Sequence, residues 1–182
     1  NVYINPKSMF AENEGHLRQN AWNNLSRHAK LGDWILCIDA DEVIHFDKLK
    51  VPLYRWLTQT RYDVLGIRFF HMWNETQYRA DKAWVPNIGT RLFRYQNGGK
   101  FADRKLACGS EPTYIQMMIR KRKFLADPGI HIQHLGYVKD EDKQMKYERY
   151  MKLDHGDYHS LAHIESIIDP NPTLIDWDER VW

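Results

Sequence analysis

The chain has 182 residues, enough for one domain with a substantial core. Hydrophobic residues make up 43% and charged residues 27%, a globular balance, and a net charge of +2 is too small for a dedicated nucleic-acid binder. Only Cys37 and Cys108 are present, which argues against a disulfide framework and for a reducing, cytoplasmic compartment. No apolar run approaches the ~20 residues that span a bilayer, so no transmembrane segment is expected.

"NVYIN" (1–5) reads as a short strand closed by Pro6. Asn13 is a helix cap, with Glu14 in the first turn, and Leu17, Ala21, Leu25 and Ala29 recur every four residues along one face. Arg27, His28 and Lys30 close that helix ahead of Gly32. The apolar run "WILCI" (34–38) follows as a central strand, so strand, helix and strand form a βαβ unit with parallel pairing. Residues 50–59 read as a short helix with Pro52 in its first turn, and 62–73 and 89–95 as strands. "IHIQHL" (130–135) is a strand with His131 and Gln133 on one face and Ile130, Ile132 and His134 on the other. Residues 139–156 form a polar helix with Tyr147, Tyr150 and Met151 along one side, and the tail from Ile168 wraps the surface. The fold class expected is α/β, a single domain built on an open, mostly parallel twisted sheet flanked by helices. Its parts are a βαβ unit with the Asp-x-Asp motif (1–45), strands and loops (46–137), and a C-terminal helix and tail (138–182).

The apolar run stops in an acidic knot, with Asp39, Asp41 and Glu42 crowded within four residues. Unpaired buried carboxylates are costly, so a positive partner is expected, and a metal ion is the first candidate. An Asp-x-Asp pair in extended chain puts both oxygens on one side, fit for a hard divalent cation. In open α/β sheets ligands bind beyond the carboxyl ends of strands, where this knot falls. His134 closes a strand ahead of Gly136, and a neutral imidazole there is a candidate metal ligand. Arg18, in the helix before the knot, can meet a phosphate or steady the carboxylates. Glu111 in the "GSEP" turn and Asp103 in "KFADRK" are the carboxylates available as general base. Trp73 and Trp84 can stack on a flat or ring-shaped ligand or serve as core.

The ordered series "ENEGHLRQNAW", "GDWILCIDADE", "TRLFRY", "HIQHLGY" and "KYERY" resembles the family-two glycosyltransferases of GT-A fold, over most of the chain to about residue 155. The resemblance implies a nucleotide-diphosphate sugar donor, an acceptor hydroxyl not identifiable from the sequence, and Mn2+ or Mg2+ as cofactor. It implies Asp39, Asp41 and His134 at the metal, Arg18, Asp39, Trp84 and Arg91 at the nucleotide-sugar, and Glu111 or Asp103 as base in an inverting displacement. The family pattern also begins with a base-binding strand and loop that does not precede "NVYIN". The fold is therefore expected to be N-terminally incomplete, with a partner chain or missing segment supplying those strands.

Two rivals stand beside this reading. A two-metal phosphohydrolase would need a second cluster of carboxylates and histidines, which the chain lacks. A non-catalytic, truncated glycosyltransferase-fold module for binding or assembly is the alternative from another class.

Overall fold

The computed structural model describes residues 12–46, 52–106, 109–121, 123–154 and 158–178. The expected strand "NVYIN", its parallel pairing with "WILCI", and Cys108 lie outside the described residues.

Helix α1 (Glu14–Leu25) starts where the cap signal puts it, with the Asn13 side chain accepting from the His16 N–H at 2.9 Å. It ends at Leu25, earlier than the periodicity through Ala29, and Gly32 takes φ +89° in the turn that follows. Next come β1 (Trp34–Leu36), β2 (Glu42–His45), α2 (Leu53–Gln59), β3 (Val64–His71), β4 (Gln77–Arg79) and β5 (Asn87–Arg94). The chain continues with α3 (Tyr114–Arg120), β6 (Phe124–His134), α4 (Asp140–Leu153), α5 (Leu161–Ser166) and β7 (Leu174–Asp176).

Five strands form one sheet in the order β1-β5-β3-β6-β2. β3 and β6 pair in parallel and the other three pairings are antiparallel, so β1, β3 and β6 run one way and β5 and β2 the other. The result is a mixed α/β sheet flanked by helices, the GT-A-like class expected from sequence. Among the described residues β1 pairs with β5 alone and so stands at the sheet's end, not at its centre.

The acidic knot is a tight link between two strands. The Glu42 N–H donates to the Asp39 carbonyl at 3.1 Å, and Glu42 then opens β2. β2 lies against β6 with Glu42 opposite His134, and β3 lies on the other side of β6 with His71 opposite His134. Three polar residues from distant parts of the chain therefore share one row across the sheet.

One core cluster gathers Trp22, Ile35, Val64, Phe93 and Ile115 between the helices and the sheet. Trp22 stacks on Tyr95 at 5.2 Å and fills space that a Cβ at Gly99 would invade at 2.6 Å. A second cluster joins Leu65, Ile67, Leu92, Ile130 and Ile132 within the sheet. The tail does more than wrap the surface. β7 pairs with β4, and the fully buried Arg79 guanidinium bonds Asp81, the Ser166 carbonyl and Asp169, fastening the C-terminal segment down.

Candidate active site

A cleft of about 720 Å³ opens beyond the ends of β1 and β6. Its walls come from α1 (Glu14, Arg18), the acidic link (Asp39, Asp41, Glu42), the sheet (Phe69, His71, Arg91, His134), α4 (Lys146, Arg149, Tyr150) and His159.

The carboxylates of the knot divide into two groups. Asp39 accepts from Arg18 at 3.1 Å and lies 3.8 Å from Arg91. Glu42, with a side chain only 2% exposed, accepts from Arg91 at 2.8 Å and from the Asp39 N–H at 3.0 Å. Arg18 also donates to Glu14 at 2.9 Å. Burial works against the Arg18 charge, but the Asp39 and Glu14 carboxylates outweigh it and raise its pKa. Arg91 is steadied from below by the Phe69 ring, 4.7 Å under its guanidinium.

Asp41 turns the other way. Its Oδ2 lies 3.2 Å from His134 Nε2 and 3.4 Å from Lys146 Nζ. The bond with His134, reinforced by the nearby Lys146 charge, overcomes burial and holds the Asp41 carboxyl far below the usual carboxylate range. Burial depresses the Lys146 pKa. Behind His134 stands His71, the two Nδ1 atoms 2.9 Å apart, so one nitrogen must donate and the other accept. Burial, with the His134 ring beside it, pushes the His71 pKa down to about 3, so this ring is neutral at ordinary pH.

The fit of a divalent cation can be judged from the donors. Among the described residues no three His, Cys, Asp or Glu side chains are grouped to hold a metal by themselves. Asp41 Oδ2 and His134 Nε2, 3.2 Å apart, do have the spacing of adjacent ligands on one ion, about 3 Å for bonds near 2.1 Å. Gly136 leaves the gap beside them free of a side chain of its own, and Lys146 Nζ fills it: a Cβ there would stand 2.0 Å from Lys146 Nζ, 2.4 Å from Asp41 Oδ2 and 2.9 Å from His134 Nε2. Mg2+ and Mn2+ are commonly held by one or two protein groups with phosphate and water completing the shell. The pair fits such an ion, while the Asp39 side chain accepts from Arg18.

The remaining expected residues lie elsewhere. Asp103 is 75% exposed and bonds Asn13 at 2.7 Å, at the start of α1 and away from the cleft walls. Glu111 also stands outside the cleft lining. Trp84 is 1% exposed, packed with Trp73, Tyr137 and Ile167, and its indole N–H donates to Ser166 Oγ at 2.8 Å. It is the middle of a column of rings. His134 and His71 meet at 5.2 Å between centroids, His71 and Trp84 at 5.3 Å, Trp84 and His163 at 4.7 Å, His163 and His159 at 5.2 Å, and His159 and Tyr150 at 5.1 Å.

The Glycosyl transferase family 2 model matches residues 8–126, well over half of the chain. The chain belongs to glycosyl transferase family 2. The matched segment carries Arg18, Asp39, Asp41, His71 and Arg91, whereas His134, Lys146 and His159 follow it. No curated protein matches, and no solved structure matches. As a family-two glycosyltransferase the chain has sugar transfer as its general activity, with a sugar donor and an acceptor as partners. No helix among the described residues is long and apolar enough to cross a membrane.

Sequence reasoning missed His71, Lys146, Arg149 and His159. A usable sign existed for Lys146, which sits one turn before Tyr150 on a helix whose Tyr147, Tyr150 and Met151 share one side. For His71 the sign was its place at the end of a predicted strand, which gains meaning only once β3 is known to lie beside β6.

Proposed function

We propose that this protein transfers a sugar from a nucleoside-diphosphate donor to an acceptor hydroxyl, with inversion and with Mn2+ or Mg2+, in the cleft described above. The observation that carries the reading is the Asp41–His134 pair, 3.2 Å apart, beside a gap that Gly136 leaves to the movable Lys146 side chain. Cations flank it: Arg18 and Arg91 on one side, Lys146 and Arg149 on the other. A diphosphate set between them meets positive charge from both walls.

In this reading Asp41 and His134 hold the ion, His71 fixes the His134 ring from behind, and Arg18 keeps Asp39 in place toward the nucleotide. The ion, when bound, offsets the charge that builds on the departing diphosphate. Lys146 and Arg149 add donors on the same side, and Glu42 keeps Arg91 aimed at the cleft mouth. The acceptor oxygen attacks the anomeric carbon from the face opposite the leaving group, so the configuration inverts. In this reading the base is neither Glu111 nor Asp103, neither of which lines the cleft walls.

The test is calorimetric titration of UDP and GDP with Mn2+, then release of nucleoside diphosphate from a panel of UDP- and GDP-sugars. Asp41→Asn should lower Mn2+ affinity at least 10-fold with the fold intact. Equal Mn2+ affinity in parent and variant would remove the metal role. Nucleotide binding without turnover across the panel would favour the non-catalytic module.

A further inference from the structure

Every carboxylate in the cleft already faces a cation: Glu14 and Asp39 face Arg18, Glu42 faces Arg91, and Asp41 faces Lys146. Each is thereby already engaged in an ion pair. One group in the cleft is differently built. Asp154 caps the C-terminal end of α4, and its side chain is 0% exposed. Its carboxylate accepts from the Tyr158 N–H at 2.6 Å, from the His159 N–H at 3.0 Å, and lies 2.5 Å from His159 Nδ1. Burial works against the Asp154 charge, but the Tyr158 and His159 donors outweigh it and keep its pKa below the ordinary carboxylate range.

An ionised carboxylate can only accept, so Nδ1 of His159 must carry a proton, and the neutral ring then has its lone pair on Nε2. The ring is clamped between Tyr150 and His163, lines the cleft, and is 28% exposed. Among the described residues Nε2 has no hydrogen-bond partner. An oriented imidazole with a buried carboxylate behind it and a free nitrogen in front has the build of a general base.

We propose that His159 Nε2 takes the proton of the acceptor hydroxyl and that Asp154 is its positioning residue. This rests on the glycosyl-transfer reading. The acceptor O–H bond breaks with its proton passing to Nε2, and the oxygen bonds the anomeric carbon. The bond from that carbon to the diphosphate oxygen breaks with its electron pair leaving on the diphosphate. The imidazolium, stabilised by Asp154, later returns its proton to water.

Two measurements on the full chain test this. Nitrogen-15 NMR of the histidine rings at pH 8 should show His159 as the Nδ1–H tautomer, a state that Asp154→Asn should weaken; an Nε2–H tautomer in the parent overturns the proposal. With UDP-glucose, UDP-N-acetylglucosamine and GDP-mannose plus Mn2+, His159→Gln should lower kcat by about 100- to 10,000-fold. UDP and GDP affinities should stay within about 2-fold, and added imidazole should partly restore His159→Ala. Unchanged kcat in His159→Gln overturns the proposal, and Glu111→Gln is expected to retain turnover. If none of these donors turns over, the tautomer decides. Failure of the parent to bind UDP or GDP would sink the glycosyl-transfer reading instead, with the tautomer result standing apart from it.

Discussion

His71 and His134 face each other Nδ1 to Nδ1 at 2.9 Å, at matched positions on the parallel strands β3 and β6. One proton serves both nitrogens. For Nε2 of His134 to offer a lone pair, His134 must donate from Nδ1 and His71 must accept, which a neutral His71 can do.

This pairing gives stability a pH dependence. Above the ordinary histidine pKa of 6.5 the His71 ring is neutral whether the chain is folded or unfolded. Between 6.5 and about 3 the unfolded chain takes up a proton that the folded one refuses, so stability falls as pH drops through this window. At pH 5 the loss from this residue should be about 2 kcal/mol. Urea unfolding at pH 7.5 and 5.0 should show His71→Leu losing less on acidification than the parent by that amount. Parallel losses in both would mean the His71 ring is not held neutral.

Gly136→Ala tests the gap beside Asp41 that Lys146 Nζ fills. The new Cβ would stand 2.4 Å from Asp41 Oδ2 and 2.0 Å from Lys146 Nζ. Lys146 can swing away, but an ion cannot share the gap. Mn2+ affinity should fall at least 10-fold while the melting temperature changes by only a few degrees, read by calorimetry and thermal melts. Full Mn2+ binding in this variant would move the metal position elsewhere.

Lys146 holds a positive charge 3.4 Å from Asp41 where a metal would also sit. Two cations at one carboxylate repel, so Lys146→Met should strengthen Mn2+ binding several-fold without nucleotide. The same variant should weaken UDP or GDP binding, because the helix loses a donor to phosphate. Mn2+ titrations with and without nucleotide check both directions, and a change of the same sign in the two would refute the dual role.

Arg18 is the cation shared by Glu14 and Asp39. Breaking a buried pair commonly costs 3–5 kcal/mol, and the part-exposure of Asp39 lowers that figure, so Arg18→Met should destabilise by about 2 kcal/mol in urea unfolding. A loss below about 0.5 kcal/mol would show that water replaces Arg18 at both carboxylates.

Local signals made much of the frame legible. Asn13 caps α1 as its residue type requires, and the alternation in "IHIQHL" puts His134 opposite His131. The acidic knot lies at the end of an apolar strand, beside His134. What could not be read were long-range pairings. Glu42 opposes His134 across more than 90 residues because β2 joins β6, and no local pattern specifies that choice. Trp84 shows the same limit at a single residue, since an indole suits a sugar-stacking wall or a core and only packing decides. Asp154 and His159 are five positions apart in a segment without periodicity, so their contact had no sequence sign.

The column of rings from His134 through His71, Trp84 and His163 to His159 acts as a spacer. It joins the His134 corner of the cleft to the His159 corner through side chains in contact rather than through loops. Their separation is therefore set by two edge-to-face and two stacked ring contacts, and packed rings resist compression much as a crystal does. Such a gauge is indifferent to which sugar or acceptor is bound and sensitive to any change in the size of a member. The neighbouring loops are then free to vary with the substrate while the distance between the two corners stays constant.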